Sequence, residues 1–163
     1  MSRAVVVKKD RTSAILDAVR SLTKTDVMIG IPESAAARGD DAPITNAVIG
    51  YLNELGSPAQ SIPPRPHLAP GVANATAKVV PQMRAAALSA VEGDKQEIEK
   101  RLNAVGLIAV SSVKAMITAG LSPGLSTATL YRRQHRKVAP RMGMQPLVDT
   151  GDYLKHITYV LRA

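Results

Sequence analysis

The sequence predicts an α+β domain in which a small, mostly antiparallel sheet packs against two long helices, with an extended proline-rich arm and a basic loop set outside it. Three observations predict it. Two short β-branched runs, 27–31 and 157–161, lie far apart in the chain and are too few for a sheet protein. Between them apolar residues recur at helical spacing over two long stretches, 72–91 and 98–117. Four prolines fall within the nine residues from Ile62 to Pro70, through which neither a helix nor a central strand should pass.

At 163 residues the chain reads as one domain, able to bury roughly 68–70% of its unfolded surface. It has no cysteine, which excludes a disulfide scaffold, a thiolate metal site and a thiol nucleophile together, and fits a reducing cytoplasm. With four Tyr and neither Phe nor Trp, the core has to be built from Ala, Val, Leu, Ile and Met, and small side chains favour close helix packing. Lys and Arg number 21 against 13 Asp and Glu, and the resulting +8 attracts polyanions or an acidic protein surface. No run of about 18 apolar residues occurs, and the start MSRAVVVKKD lacks the apolar centre of a signal peptide, so no membrane span is expected.

Taken in order, residues 4–7 (AVVV) read as a short strand, and Asp10 or Thr12 stands where a cap would open a helix striped by Ile15, Leu16, Val19 and Leu22. Residues 27–31 form a strand stopped by Pro32, and the small, charged stretch 33–43 is a loop. That loop carries Arg38-Gly39-Asp40, a cell-adhesion tripeptide on paper but short enough to arise by chance. Thr45 caps a second helix with Val48, Tyr51, Leu52 and Leu55 on one face, and Gly56 ends it. The arm 62–70 follows. Helical spacing then runs through Val72, Thr76, Val79, Val80, Met83, Ala87 and Val91, with a kink or late start expected at Pro81. The run Asp94 to Glu97 has capping-box spacing and opens a long helix striped by Ile98, Leu102, Val105, Ala109, Val113, Met116 and Ile117, ended by Gly120. Leu107, Ile108 and Val110 widen that stripe, so this helix is covered on more than one side, by its own core or by a neighbouring subunit. Residues 121–146 form the basic loop, with Arg132, Arg133, Arg136, Lys137 and Arg141 crowded together and expected to be exposed. A turn from Pro146 to Tyr153 leads into the closing strand 157–161.

Little in this chain suggests catalysis. Asp149-Thr150-Gly151 is the aspartic-protease triplet, but that chemistry needs two carboxylates sharing a proton and a strand-rich lobe beyond the triplet, and only 152–163 remain. The bland reading is an Asp or Thr side chain fixing a glycine turn before the last strand. The three His residues, 67, 135 and 156, lack partners at ligand spacing, so neither metal nor cofactor is expected. The basic cluster could neutralise DNA phosphates, although only Tyr131 is at hand for base stacking.

Asn53-Glu54-Leu55-Gly56, then IPPRPHLAP, then a long helix, Leu121-Ser122-Pro123 with Thr129 and a basic stretch, and finally PLVDTGDYLKHITYVLR form an ordered set. Over residues 44–163 this set resembles the tailed-bacteriophage neck, or tail-completion, virion-morphogenesis proteins of the head–tail junction. The family pattern usually has an aromatic at the positions of Leu55 and His67, Leu at Tyr153 and Ser near His156, and this chain departs from it there. The resemblance implies a non-enzymatic structural protein of the virion, assembled in the host cytoplasm. Such a subunit forms a homo-oligomeric ring, commonly a hexamer, that completes the tail and meets the tail terminator or tail tube and the head connector, with DNA passing through its channel. Arg65, Pro66, His67 and Leu68 on the arm, with Asp149, Thr150, Gly151 and Tyr153, are then the expected interface, Arg65 making a charge-assisted contact with Leu68 and His67 packing nearby. A pre-ordered arm suits docking because it loses little entropy, while the alternative is that the arm covers its own domain's core.

Overall fold

The structure, a computed structural model, describes residues 10–32 and 44–162. Its order is α1 (Thr12–Lys24), β1 (Asp26–Gly30), α2 (Asn46–Leu55), a 3-10 turn (Pro58–Gln60), α3 (Leu68–Glu92), α4 (Lys95–Ala119), α5 (Thr127–Gln134), α6 (Asp152–His156) and β2 (Thr158–Arg162). This is the expected α+β architecture. The strand read at 4–7 and the loop 33–43 with Arg38-Gly39-Asp40 lie outside the described residues.

Local signals set most helix ends. Thr45 accepts the Val48 N–H at the start of α2, and Asp94 accepts the Glu97 N–H at the start of α4. Glycine closes both helices, at Gly56 and Gly120. At α1 the cap is offset by one residue: Arg11 occupies the cap position, while Asp10 takes the Thr12 N–H at 2.9 Å.

Helices α3 and α4 form an antiparallel hairpin that carries the whole domain. The core stripe of α4 is buried as expected, from Ile98 through Leu102, Val105, Ala109 and Val113 to Ile117. By length and apolarity α4 could cross a membrane, but its buried face is filled by this domain's own α3, α1 and sheet. On α3 the expectation is corrected: the buried positions are Gly71, Ala75, Ala86, Ser89 and Ala90, whereas Val72, Val80, Met83 and Val91 are exposed. Close approach explains the inversion. A Cβ at Gly71 would stand 2.8 Å from the Val113 Cα, and Ser112 Oγ donates to the Gly71 carbonyl at 2.7 Å, so only small side chains fit the seam.

The late start at Pro81 is also corrected, because α3 begins at Leu68 and runs on through Pro81. Both Pro81 and Ala77, whose carbonyl loses its helical donor there, lie on the exposed side where water can serve instead. The arm is correspondingly shorter than read, since Leu68, Ala69 and Pro70 are already the first turn of α3.

The sheet is antiparallel and two-stranded, with Asp26 opposite Arg162 and Gly30 opposite Thr158. Its inward side chains divide between two core clusters. Val27 and Leu161 join Ala18, Ala90, Ile98 and Leu102, while Ile29 and Tyr159, with Ile31 just beyond β1, pack on the cluster of Val110, Val113 and Ile117.

Candidate functional site

The motif segments singled out in the sequence meet at one place, a buried polar knot where α2 ends, α3 begins and the chain passes into α6. Gly56 opens it, closing α2 at φ +78 with the Pro64 nitrogen only 2.8 Å from where a Cβ would sit. No side chain fits that turn. The chain then folds back on itself through paired backbone hydrogen bonds between Ser57 and Ile62, at 2.8 and 3.0 Å.

Glu54 holds the start of α3. Its carboxylate accepts the backbone N–H groups of His67 at 2.7 Å, Leu68 at 2.9 Å and Ala69 at 3.1 Å. Pro70 has no N–H to satisfy, and the Gly71 N–H makes the first helical bond, to the His67 carbonyl. Every donor at this helix end is thereby accounted for, and a negative charge sits at the positive end of the helix dipole. Burial raises the Glu54 carboxyl, but the three N–H bonds and the nearby His67 together bring it below its ordinary value.

His67 is fully buried. Its Nδ1 faces two acceptors, the Arg65 carbonyl at 2.8 Å and Glu54 at 3.1 Å, and therefore carries a proton. Its Nε2 lies 2.6 Å from the Tyr153 hydroxyl, with the rings edge to face. Burial first, and the Glu54 charge second, push the Tyr153 hydroxyl pKa up, so Tyr153 stays protonated and donates to His67. That direction is opposite to the activation of a nucleophile or base. The hydroxyl also fills the space above Gly50, where a Cβ would stand 2.8 Å away.

Arg65 is buried too, against the expectation of an outward contact. Its Nε donates to the Pro123 carbonyl at 2.6 Å and its Nη2 to the Gly124 carbonyl at 2.9 Å, tying the arm to the turn after α4. Burial lowers its pKa from the ordinary guanidinium value. Within the arm Pro64 and Pro66 are exposed, while Arg65 and His67 are buried and Leu68 is half-buried. The arm covers its own domain, and the outward reading of Arg65 and His67 is corrected on that ground.

The basic loop is corrected in the same way. It contains α5, and Arg133 reaches back from that helix to the carbonyls of Gln145 at 3.0 Å and Val148 at 3.3 Å. Arg136 holds both oxygens of Asp149, at 2.9 and 3.0 Å. The Asp149 carboxylate is thus occupied by a guanidinium, not poised beside a second carboxylate. Thr150 Oγ1 accepts the Asp152 N–H at 3.2 Å and Gly151 takes φ +82, which is the turn role expected of this triplet. Arg132, Lys137 and Arg141 remain exposed.

A polar recess of about 320 Å³ lies over the knot. Arg65, Arg133 and Arg136 line it together with the 149–151 triplet and Tyr153, so arm, basic stretch and triplet converge there. One contributor, Asn46, was not legible in the sequence: it is fully buried and donates to Asp152 at 2.8 Å, 106 residues away. Asn53 and Glu54 belong to the motif set, but their roles were not read there: Asn53 donates to the Ile49 carbonyl and lines the recess, and Glu54 caps the helix that begins after His67. Among the described residues no His, Asp or Glu cluster could hold a metal ion. Comparison with family models, with curated proteins and with solved structures finds no match for this chain.

Proposed function

We propose that this chain is a structural subunit of a tailed-phage neck, assembling as a ring that completes the tail and joins it to the head connector. The observation that carries this reading is the convergence of the motif set. Asn53 to Gly56, the arm, the Ser122-Pro123 turn and the Asp149 to Tyr153 turn are scattered along the sequence yet form one hydrogen-bonded knot. Two positions that depart from the family pattern, His67 and Tyr153, touch each other at 2.6 Å, as a matched replacement of one apolar pair by one polar pair would.

Self-association has separate support. Val48, Tyr51 and Leu55 on α2 are 45%, 65% and 61% exposed, and α3 exposes Val80, Leu88 and Val91. Apolar faces of this extent are what subunit contacts cover. The partners of such a ring are further copies, the tail terminator or tail tube and the connector, and its place is the virion. The exposed Arg132, Lys137 and Arg141 supply charge for DNA in the channel or for an acidic neighbour.

The test is mass photometry of the purified protein, followed by electron microscopy after mixing with isolated tails and connectors. Rings that cap tails are expected. A strict monomer that binds neither particle overturns the reading.

A further inference from the structure

The recess over the knot carries an excess of positive charge. Three guanidiniums reach it from three parts of the chain: Arg65 from the arm, Arg133 from α5 and Arg136 from the segment just after α5. Two carboxylates, Asp149 and Asp152, line it as well, so one positive charge is left over. Both carboxylates are already engaged. Asp149 is held through its two oxygens by Arg136, and Asp152 accepts from Asn46 at 2.8 Å.

Arg65 and Arg133 lack such a counter-charge. Among the described residues neither forms an ion pair, and both are anchored by neutral carbonyls alone. Arg65 is nevertheless 7% exposed, more than nine-tenths buried. Burying a guanidinium costs free energy that carbonyl dipoles offset in part and a nearby anion offsets further. Donors are also left over. Arg65 bonds through Nε and Nη2 and Arg133 through Nη1, which leaves Arg65 Nη1 and Arg133 Nε and Nη2 without a partner among the described residues. The Arg136 Nε is likewise unpaired, and buried. Forked guanidinium donors of this kind match the two oxygens of a carboxylate.

We propose that this recess is an oxyanion site that takes one carboxylate, the side chain of an acidic residue presented by a partner protein. A single carboxylate cancels the excess charge and supplies acceptors for the spare guanidinium donors. Shape favours a side chain over a nucleic acid. At about 320 Å³ the recess is near the lower end of ligand sites, and Ile49, Leu125 and Leu147 give it apolar walls that suit the methylenes of Asp or Glu. Duplex phosphates sit on a convex rod and meet the exposed Arg132, Lys137 and Arg141 more readily, none of which lines the recess. Tyr131, the residue at hand for base stacking, does not line it either. The assignment stands apart from the ring reading, because a second copy of this chain and a different protein can present the same carboxylate.

The probe is N-acetylglutamate N-methylamide, with the glutamine analogue as its neutral control. Each is titrated into the full-length protein at constant ionic strength while the nitrogen resonances of the arginine side chains are followed. The Nε signals of Arg65, Arg133 and Arg136 are expected to shift and saturate with a Kd of about 1–10 mM, and the glutamine analogue to leave them in place. Arg133→Gln should weaken the probe at least about tenfold. Because Arg133 also holds loop carbonyls, Leu125→Glu is the second variant, with Tm as the folding control for both. It sets a carboxylate inside the recess and should block the probe without loss of Tm. Equal response to the two probes, a signal that never saturates, or undiminished binding in either variant overturns the inference. A duplex oligonucleotide that displaces the glutamate probe also overturns it, since the recess then serves phosphate. Where the probe binds, sedimentation separates the two sources: self-association lost in Leu125→Glu identifies a second copy, and association left unchanged identifies a different protein. A wild type that stays monomeric yet binds the probe keeps this inference, and only the ring reading falls.

Discussion

Removing the Tyr153 hydroxyl probes the knot most directly. In Tyr153→Phe the ring stays, but His67 Nε2 loses the partner 2.6 Å away at a site with no solvent exposure. Leaving one buried polar atom unpaired costs about 1–3 kcal/mol. For a domain of this size about 2 kcal/mol corresponds to a fall in Tm of roughly 4–8 °C. His67→Phe strands the hydroxyl in turn and also removes the Nδ1 donor from the Arg65 carbonyl. Combining His67→Phe with Tyr153→Phe removes both ends of the contact, so the double variant should be about 1–2 kcal/mol more stable than the sum of the singles implies. Urea unfolding followed by circular dichroism measures all four corners of this cycle. Gly50 offers an independent check, because the Tyr153 hydroxyl is the atom nearest to a Cβ there, at 2.8 Å, and the next is at 3.3 Å. Gly50→Ala should therefore be tolerated better in the Tyr153→Phe background. Singles that add to within about 0.5 kcal/mol, or a Tyr153→Phe protein as stable as wild type, would refute the buried Tyr153–His67 hydrogen bond.

Glu54 is held below its ordinary value of 4.5, so its contribution is complete above that value and is lost as pH falls through the folded one. Glu54→Gln should lower stability by about 1–2 kcal/mol at neutral pH and flatten the acid limb of Tm against pH. Arg65→Ala strands two carbonyls and is expected to destabilise the monomer by about 2–3 kcal/mol in urea unfolding, with Arg65→Lys restoring only part of it because an ammonium lacks the planar fork. A fully stable Arg65→Ala monomer that fails only to assemble would return the arm to the outside. Gly106→Ala places a Cβ 2.3 Å from the Tyr159 ring and should cost about 2 kcal/mol or more, read as a Tm drop with loss of the Tyr159 bond to Asn103.

Much of the fold was legible because its signals are local. Thr45, Asp94, Gly56 and Gly120 act on residues within one turn, and the α4 stripe repeats often enough to mark a core helix. The corrections fall where two elements must agree. The larger apolar residues of α3 look like its core side, yet the seam with α4 admits only Gly71, Ala75, Ala86, Ser89 and Ala90. On α2 the face of Val48, Tyr51 and Leu55 is turned outward while Asn46 and Gly50 are buried, Asn46 bonded to Asp152 and Gly50 beneath Tyr153. Arg133 and Arg136, part of an apparently solvated cluster, are spent on the carbonyls and carboxylate of the following loop.

The sequence by itself determined the α+β class, the ends of the main helices and the stiffness of the 62–67 segment, since capping, periodicity and proline geometry depend only on near neighbours. Tertiary structure alone decided what that segment touches. His67 meets a tyrosine 86 residues away and Arg65 a turn 58 residues away, and no spacing rule spans such distances. Once the arm is packed, the buried guanidinium of Arg65 and the imidazole of His67 persist because carbonyls, Glu54 and Tyr153 from distant parts of the chain meet them, and that pairing is a property of the assembled knot.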